Sequence, residues 1–212
     1  MDLFGNGPEL NLLPCDGTVN YHGRIFTAND ERKYYDALLH GIPWQHDEVV
    51  IFGKRIVTAR EVAWYGDSGF AYTYSGTTKQ PLQWTAELVE LKAAVERLAG
   101  TRFNSCLLNL YHHGGEGMAW HSDDEKSLGE EPCIASLSFG ADRKFSLKHK
   151  RTQQTVSLIL ETGSLLVMKG ATQAHWLHSV PKSKRITTPR INLTFRTMLP
   201  PRDQDTPLPG RR

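Results

Sequence analysis

Hydrophobic positions recur along this 212-residue chain with two periods. Helical spacing occurs twice. Asn29 can cap a helix whose Tyr35, Leu38 and Leu39 share one face, stopped by Gly41 and Pro43. A second helix starts at Thr85, buries Leu88, Leu91, Val95 and Leu98, and ends at Gly100. Between them, Glu48–Phe52, Ile56–Arg60 and Phe70–Ser75 read as strands separated by glycine turns. From Phe103 onward the pattern is almost all strand. It predicts Phe103–Tyr111, Met118–His121, Cys133–Phe139, Lys144–His149, Gln154–Leu160, Ser164–Met168, His175–Val180 and Arg190–Met198. Many short strands behind two helices point to an α+β chain, mainly β, built on a sandwich or jelly roll.

Composition narrows the class. With 39% hydrophobic and 23% charged residues, the chain can bury a real core. No apolar run approaches the roughly 20 residues of a membrane helix, and the first ten residues lack a secretory pattern, so no membrane partner and no secretion are expected. Three cysteines without CxxC spacing argue against a disulfide framework or a zinc ribbon. Residues 1–12 read as a loose N-terminus, 13–199 as one domain, and 200–212 as a disordered tail.

Charge is unevenly spread. Residues 141–212 hold 14 Lys and Arg against 4 Asp and Glu, although the whole chain carries only +2. Such asymmetry suggests a basic face for a polyanion, or a solvated face plus a basic tail.

The chemistry lies on the predicted strands. In an extended segment, residues i and i+2 share a face, so His121 and Asp123 offer one imidazole and one carboxylate together. A downstream histidine would complete a 2-His-1-carboxylate site with open positions, the arrangement of non-haem Fe(II) oxygenases. This pair alone is weak, since roughly 0.5 His-x-Asp matches are expected by chance in a chain of this composition. The segment Arg190–Arg196 is more informative. It puts Arg190, Asn192, Thr194 and Arg196 on one face and Ile191, Leu193 and Phe195 on the other. Two guanidinium groups on a polar strand face call for anions, and a small dicarboxylate could engage both.

These residues resemble the AlkB-type Fe(II)/2-oxoglutarate dioxygenases, which act on alkylated nucleic acids. The resemblance runs from about Arg24 to Leu199 through IFGK, YTYSG, HSDDE, IASLSFGA, HWLHSVP and PRINLTFR, and is nearest to the branch that repairs duplex DNA. It implies a double-stranded β-helix (jelly roll) core over 103–199, N-terminal helices and a nucleotide-recognition lid over about 44–84. It implies a catalytic centre in which His121, Asp123 and His178 hold Fe(II), with His178, before Ser-Val-Pro, fitting the pattern better than His175. It also implies 2-oxoglutarate contacts from Asn109, Tyr111, Arg190, Asn192, Thr194 and Arg196. Leu110 departs from the arginine common in the family and leaves its two neighbours intact.

On the substrate side, Tyr72 and Tyr74 share a strand face suited to stacking a base, and the family uses aromatics there to sandwich a flipped nucleotide. Asp124 and Glu125 follow the first metal motif. Glu125 matches a family carboxylate that meets the damaged base, and a partly buried carboxylate there would favour the cationic 1-methyladenine and 3-methylcytosine. Phe52, with Gly53 and Lys54, matches a finger that wedges into duplex DNA. Lys144, Lys148 and Lys150 alternate with apolar residues and would meet phosphates on an outward face; Lys182, Lys184 and Arg185 form a second basic cluster.

The expectation is thus an oxidative demethylase using Fe(II), 2-oxoglutarate and O2. It would repair 1-methyladenine, 3-methylcytosine and etheno adducts, releasing formaldehyde, succinate and CO2. Expected partners are alkylated DNA, duplex or single-stranded, or RNA, met by a monomer in the cytoplasm of a bacterium or the nucleus of a eukaryote. The competing readings are the same chemistry on RNA or tRNA, and an inactive jelly-roll module that only binds nucleic acid.

Overall fold

The structure, a computed structural model, describes residues 7–51, 54–68, 72–74 and 77–200; of residues 48–51, 54–56, 72–74 and 77–79 it describes the backbone alone. In chain order the elements are β1 (Thr18–Arg24), α1 (Ala28–Gly41), β2 (Gln45–Ile51), β3 (Lys54–Gly66), β4 (Tyr72–Tyr74), β5 (Thr77–Lys79), α2 (Ala86–Ala99), β6 (Ser105–Tyr111) and β7 (Met118–His121). A 3-10 turn at Lys126–Leu128 precedes β8 (Ile134–Gly140), β9 (Arg143–His149), β10 (Thr155–Leu160), β11 (Ser164–Lys169), the single-turn α3 (Thr172–His175), β12 (Trp176–Val180) and β13 (Arg190–Arg196).

The strands form a seven-stranded sheet, β1-β11-β8-β13-β6-β3-β2, and a four-stranded sheet, β10-β9-β12-β7. Alternation along each strand decides what the large sheet covers. Ile191, Leu193 and Phe195 of β13, with Cys106, Leu108 and Leu110 of β6, pack against Leu88, Leu91 and Val95 of α2 and Leu38 of α1. The opposite face meets the small sheet in a second core containing Phe145, Leu147, Leu166, Met168 and Trp176. Two antiparallel sheets packed face to face, with helices on one outer side, make the expected jelly roll.

The helix ends follow from their caps. Thr27, not Asn29, caps α1: its hydroxyl accepts from Asp30 N and donates to Asp30 Oδ2, so the helix begins earlier than its hydrophobic face suggests. Thr85 caps α2 as expected, and Gly100 closes it in the left-handed region at φ 69°.

Three features differ from the sequence reading. Strand β1 was not expected; its register with β11 shifts between Tyr21 and Gly23, so a bulge breaks the alternation that would have announced it. The loose N-terminus is shorter than 1–12. Asn11 Oδ1 accepts from the amides of Leu13 and Val19, and Leu12 N donates to Val19 O, pinning the chain from residue 10 on. Within the expected lid, β3 pairs with both β2 and β6 and extends the large sheet, an attachment to the core that the sequence reading did not include. The expected tail lies almost wholly outside the described residues, as do Phe52 and Gly53 at the β2–β3 tip.

Candidate active site

Between the sheets lies a cavity of about 430 Å3. At one end stand His121, Asp123 and His178, whose donor atoms all fall within 4.8 Å of one another. Their convergence is a matter of register: β7 and β12 pair antiparallel with His178 directly opposite His121, which leaves the ring centres 4.2 Å apart. Asp123 follows just beyond β7, with Oδ1 3.7 Å from His121 Nε2.

Neighbouring groups fix all three. His121 Nδ1 lies 2.9 Å from the carbonyl of Ala119, and a carbonyl only accepts, so Nδ1 carries the proton and Nε2 keeps its lone pair for a metal. Burial pushes His178 down to about 3, so it stays neutral and able to ligate; Phe145 stacks on it at 5.6 Å. Asp123 is 4% exposed, and burial alone would raise its carboxyl. The charge and hydrogen bonds of Arg196 outweigh that and hold it below the usual range. Arg196 donates from Nη2 at 2.7 Å and from Nε at 3.2 Å to Asp123 Oδ2, while the Asp123 amide donates to Gln173 Oε1.

The polar face of β13 lines the cavity from Arg196, beside Asp123, through Thr194 and Asn192 to Arg190, joined by Asn109 and Tyr111 of β6. Arg190 is 1% exposed and donates from Nη2 to Ser138 Oγ, while its Nε and Nη1 have no hydrogen-bond partner. Burial first, and the charge of Arg143 after it, pulls the Arg190 guanidinium down to about 10. A buried cation with idle donors lacks an anion. Arg196 differs from the sequence reading here: it does not stand free, because Asp123 already shares its charge. Asn109 also has a protein partner, Arg60 Nε at 3.0 Å.

The substrate side is less assembled than the sequence suggests. Glu125 lines the cavity mouth but is exposed, not partly buried. Asp124 is exposed and accepts from the Ser122 hydroxyl, outside the cavity lining. Tyr72 and Tyr74 share one face of β4, which pairs with β5 in a ribbon of its own; their side chains, and that of Lys54, are not among those described. The three lysines do not form one row. Lys144 is exposed, Lys148 lies 4.7 Å over the ring of Trp120, and Lys150 sits past the end of β9, where its ammonium donates to Gln173 O. His175 ends α3 and stacks on His149, away from the triad.

A second cluster, Cys15, Asp16 and His149, also gathers donor atoms within 4.8 Å. There His149 Nδ1 faces the amides of Arg151 and Thr152 and must accept, so Nε2 carries the proton toward Asp16 and offers no lone pair. It is a clip, not a cation site. The sequence reading missed Gln173, Arg60 and Arg143. No spacing marks them, since each acts across the fold.

The triad, the cavity and the idle guanidinium define a class. The chain belongs to the 2OG-Fe(II) oxygenase superfamily, whose family model matches residues 17–196, and it is of the AlkB type within it. It is 42% identical over 201 residues to the mouse DNA oxidative demethylase ALKBH2, covering 89% of this chain and 81% of that one. It is also 42% identical over 176 residues to the bovine alpha-ketoglutarate-dependent dioxygenase alkB homolog 3, covering 78% of this chain and 61% of that protein. The chain thus spans about three fifths of the length of the bovine relative. A solved prolyl hydroxylase from Trichoplax adhaerens, in complex with a hypoxia inducible factor oxygen degradation domain peptide fragment, shares the fold with a TM-score of 0.59 at 13% identity, over 86% of this chain and 83% of that one.

The residues present fit the family's Fe(II) and 2-oxoglutarate. Two neutral imidazoles and one carboxylate, converging with room beside them, suit a hard-to-borderline divalent ion with open positions. The idle Arg190 donors suit a carboxylate. With O2, these are the cofactor and cosubstrates of the chain's chemistry.

Proposed function

We propose that this chain is an oxidative demethylase of alkylated DNA bases, acting on 1-methyladenine, 3-methylcytosine and etheno adducts as a monomer. One observation carries the reading. A single cavity pairs a preorganised 2-His-1-carboxylate triad with an uncompensated buried guanidinium, in a chain 42% identical to a protein named DNA oxidative demethylase.

In this reading His121, Asp123 and His178 are the metal ligands. Bound there, Fe(II) and 2-oxoglutarate supply the oxidising power that hydroxylates an N-methyl group, which leaves as formaldehyde. The protein's own part is placement. The end of the cavity formed by Arg190, Asn192 and Tyr111 would take the carboxylate of 2-oxoglutarate farther from the metal. Arg196 and Thr194 line the wall between, and Asn109 of β6 stands opposite Asn192. Glu125 at the mouth meets the positive charge of a methylated base. Tyr72 and Tyr74 stack it, the Phe52–Gly53–Lys54 tip fills the gap in the duplex, and Lys144 and Lys148 hold phosphates.

The test is mass spectrometry of 1-methyladenine oligonucleotides, single-stranded and duplex DNA and RNA in parallel, incubated with Fe(II) and 2-oxoglutarate. Loss of the methyl mass with matched formaldehyde and succinate is expected on DNA. Succinate that never depends on the methyl group, or demethylation of RNA alone, would overturn the proposal.

A further inference from the structure

Two arginines of this fold are buried without an acid partner, and the function proposed above uses only one. Arg143 opens β9 in the small sheet and Arg190 opens β13 in the large one. Each is 1% exposed, and neither forms a salt bridge among the described residues. Their guanidinium carbons lie 5.6 and 5.5 Å from the centre of one ring, that of Tyr111 at the end of β6. Arg143 Nη2 donates to the carbonyls of Glu116 at 2.7 Å and Pro181 at 3.1 Å, while its Nε has no partner. Carbonyls orient a guanidinium but do not neutralise it. Burial pulls the Arg143 guanidinium down and the charge of nearby Glu116 partly offsets this, but the Glu116 carboxylate is hydrogen-bonded to His112, whose Nδ1 lies 3.1 Å away, and forms no salt bridge with Arg143.

Burying an uncompensated cation is costly, and two around one ring cost more, since each also disfavours the other. Arg143 does not line the cavity; Tyr111 and Arg190 do. Its charge is nonetheless close. Both guanidinium groups lie within 5.6 Å of the same ring centre, so they are no more than about 11 Å apart, inside protein where counter-ions do not screen.

We propose that Arg143 is a positioning and specificity-determining residue for the cosubstrate: through the Tyr111 ring and its own field it makes the Arg190 end of the cavity selective for a dianionic 2-oxo acid over a monoanionic one of the same length. This rests on the placement of 2-oxoglutarate proposed above. The Tyr111 ring, with both cations within 5.6 Å of its centre, gives the distal carboxylate a fixed wall. The second cation adds an attraction that only a ligand with charge at that end can use.

The test compares binding of 2-oxoglutarate with that of 2-oxopentanoate, which lacks the distal carboxylate. Both are measured by quenching of intrinsic tryptophan fluorescence in Mn(II)-loaded protein without O2, so that no turnover is needed. Arg143→Met should weaken 2-oxoglutarate on the order of tenfold, as expected for one unit charge about 10 Å away at an effective dielectric near 20. It should leave 2-oxopentanoate within about twofold. Arg143→Lys, which keeps the charge, should keep most of the discrimination. Arg143→Gln keeps a donor for the two carbonyls without charge and carries the same expectation as Met if the Met variant does not fold. Equal weakening of both ligands, or none, would show that Arg143 only holds the loops together. Arg190→Met is the control on the proposed cosubstrate placement. If it discriminates between the ligands while the Arg143 variants do not, this inference alone fails; if Arg190→Met does not discriminate, the cosubstrate placement fails with it.

Discussion

Removing Arg196 should destabilise the metal-free protein in a way that acid relieves. Asp123 is 4% exposed and takes both of its charged hydrogen bonds from Arg196, the shorter at 2.7 Å. At an effective dielectric near 20, opposite charges about 3 Å apart attract by roughly 5–6 kcal/mol. The net cost of deleting one member of a buried pair is about 3–5 kcal/mol, because the other charge is stranded. In the intact protein Asp123 is held below its usual range, so its contribution is present above the unfolded carboxylate value and is lost as pH falls through the lower folded value. In Arg196→Met the folded value rises above the unfolded one, and the penalty is full at neutral pH but vanishes once the stranded carboxylate takes a proton. Urea unfolding of metal-free protein at pH 7 and pH 4 measures both ends. The variant should be about 3 kcal/mol less stable at pH 7 and much closer to the unsubstituted protein at pH 4, and Mn(II) should recover part of the loss at pH 7 by standing in for the guanidinium. Coincident midpoints at pH 7, or the same gap at both pH values, would mean that the pair is not the counter-charge described here.

His121→Ala and Asp123→Ala should abolish demethylation and Mn(II) binding while unfolding stays cooperative, whereas His175→Ala, which removes only a stacking partner of His149, should still bind the ion; isothermal titration separates them, and loss of binding in the His175 variant would point to the wrong histidine. Glu125→Gln should reduce turnover of 1-methyladenine and 3-methylcytosine more than of neutral etheno adducts, as read by competition in one reaction; equal losses would assign Glu125 to holding the loop after Asp123. Replacing Lys144 and Lys148 together by Gln should flatten the salt dependence of oligonucleotide binding by roughly 0.9 log unit for each duplex phosphate no longer neutralised. Lys150→Gln should leave the slope unchanged, because its ammonium is spent on Gln173 O; a steeper effect from Lys150 than from Lys148 would reverse the assignment.

What could be read in advance depended on whether a residue's role was written into its own strand. The two faces of Arg190–Arg196 were legible because a period of two needs no partner to be seen, and the core and cavity lining divide along that alternation. The His121–Asp123 pair was legible for the same reason. The choice of His178 was not a matter of period, since only the pairing of β7 with β12 brings it opposite His121. Gln173 and Arg143 carried no signal at all: the first reaches Asp123 across 50 residues and the second ties together two loops 65 residues apart in sequence. Strand β1 escaped because its bulge at Tyr21–Gly23 interrupts the alternation. The burial of Glu125 was misjudged because exposure at a cavity mouth depends on what stands around it, which its own strand does not encode.

All three metal-site residues come from the small sheet and the loop leaving it, while Arg190, Asn192, Asn109 and Tyr111 come from the large sheet. The layer of Phe145, Leu147, Leu166, Met168 and Trp176 therefore sets the gap between the triad and the Arg190 end proposed to hold the cosubstrate, and with it how the cosubstrate is aimed. A side chain in that layer governs reaction geometry without touching a reactant, and a misplacement of about 1 Å can cost about a hundredfold in rate. Trimming Leu166 to alanine should thus misalign the oxidant and the methyl group as well as cost stability. Its signature is succinate formed without matching formaldehyde, and a variant that slows both products in step would place the alignment elsewhere. In the proposed reaction, the matching of methyl removed to 2-oxo acid consumed would thus depend on the thickness of this hydrocarbon layer.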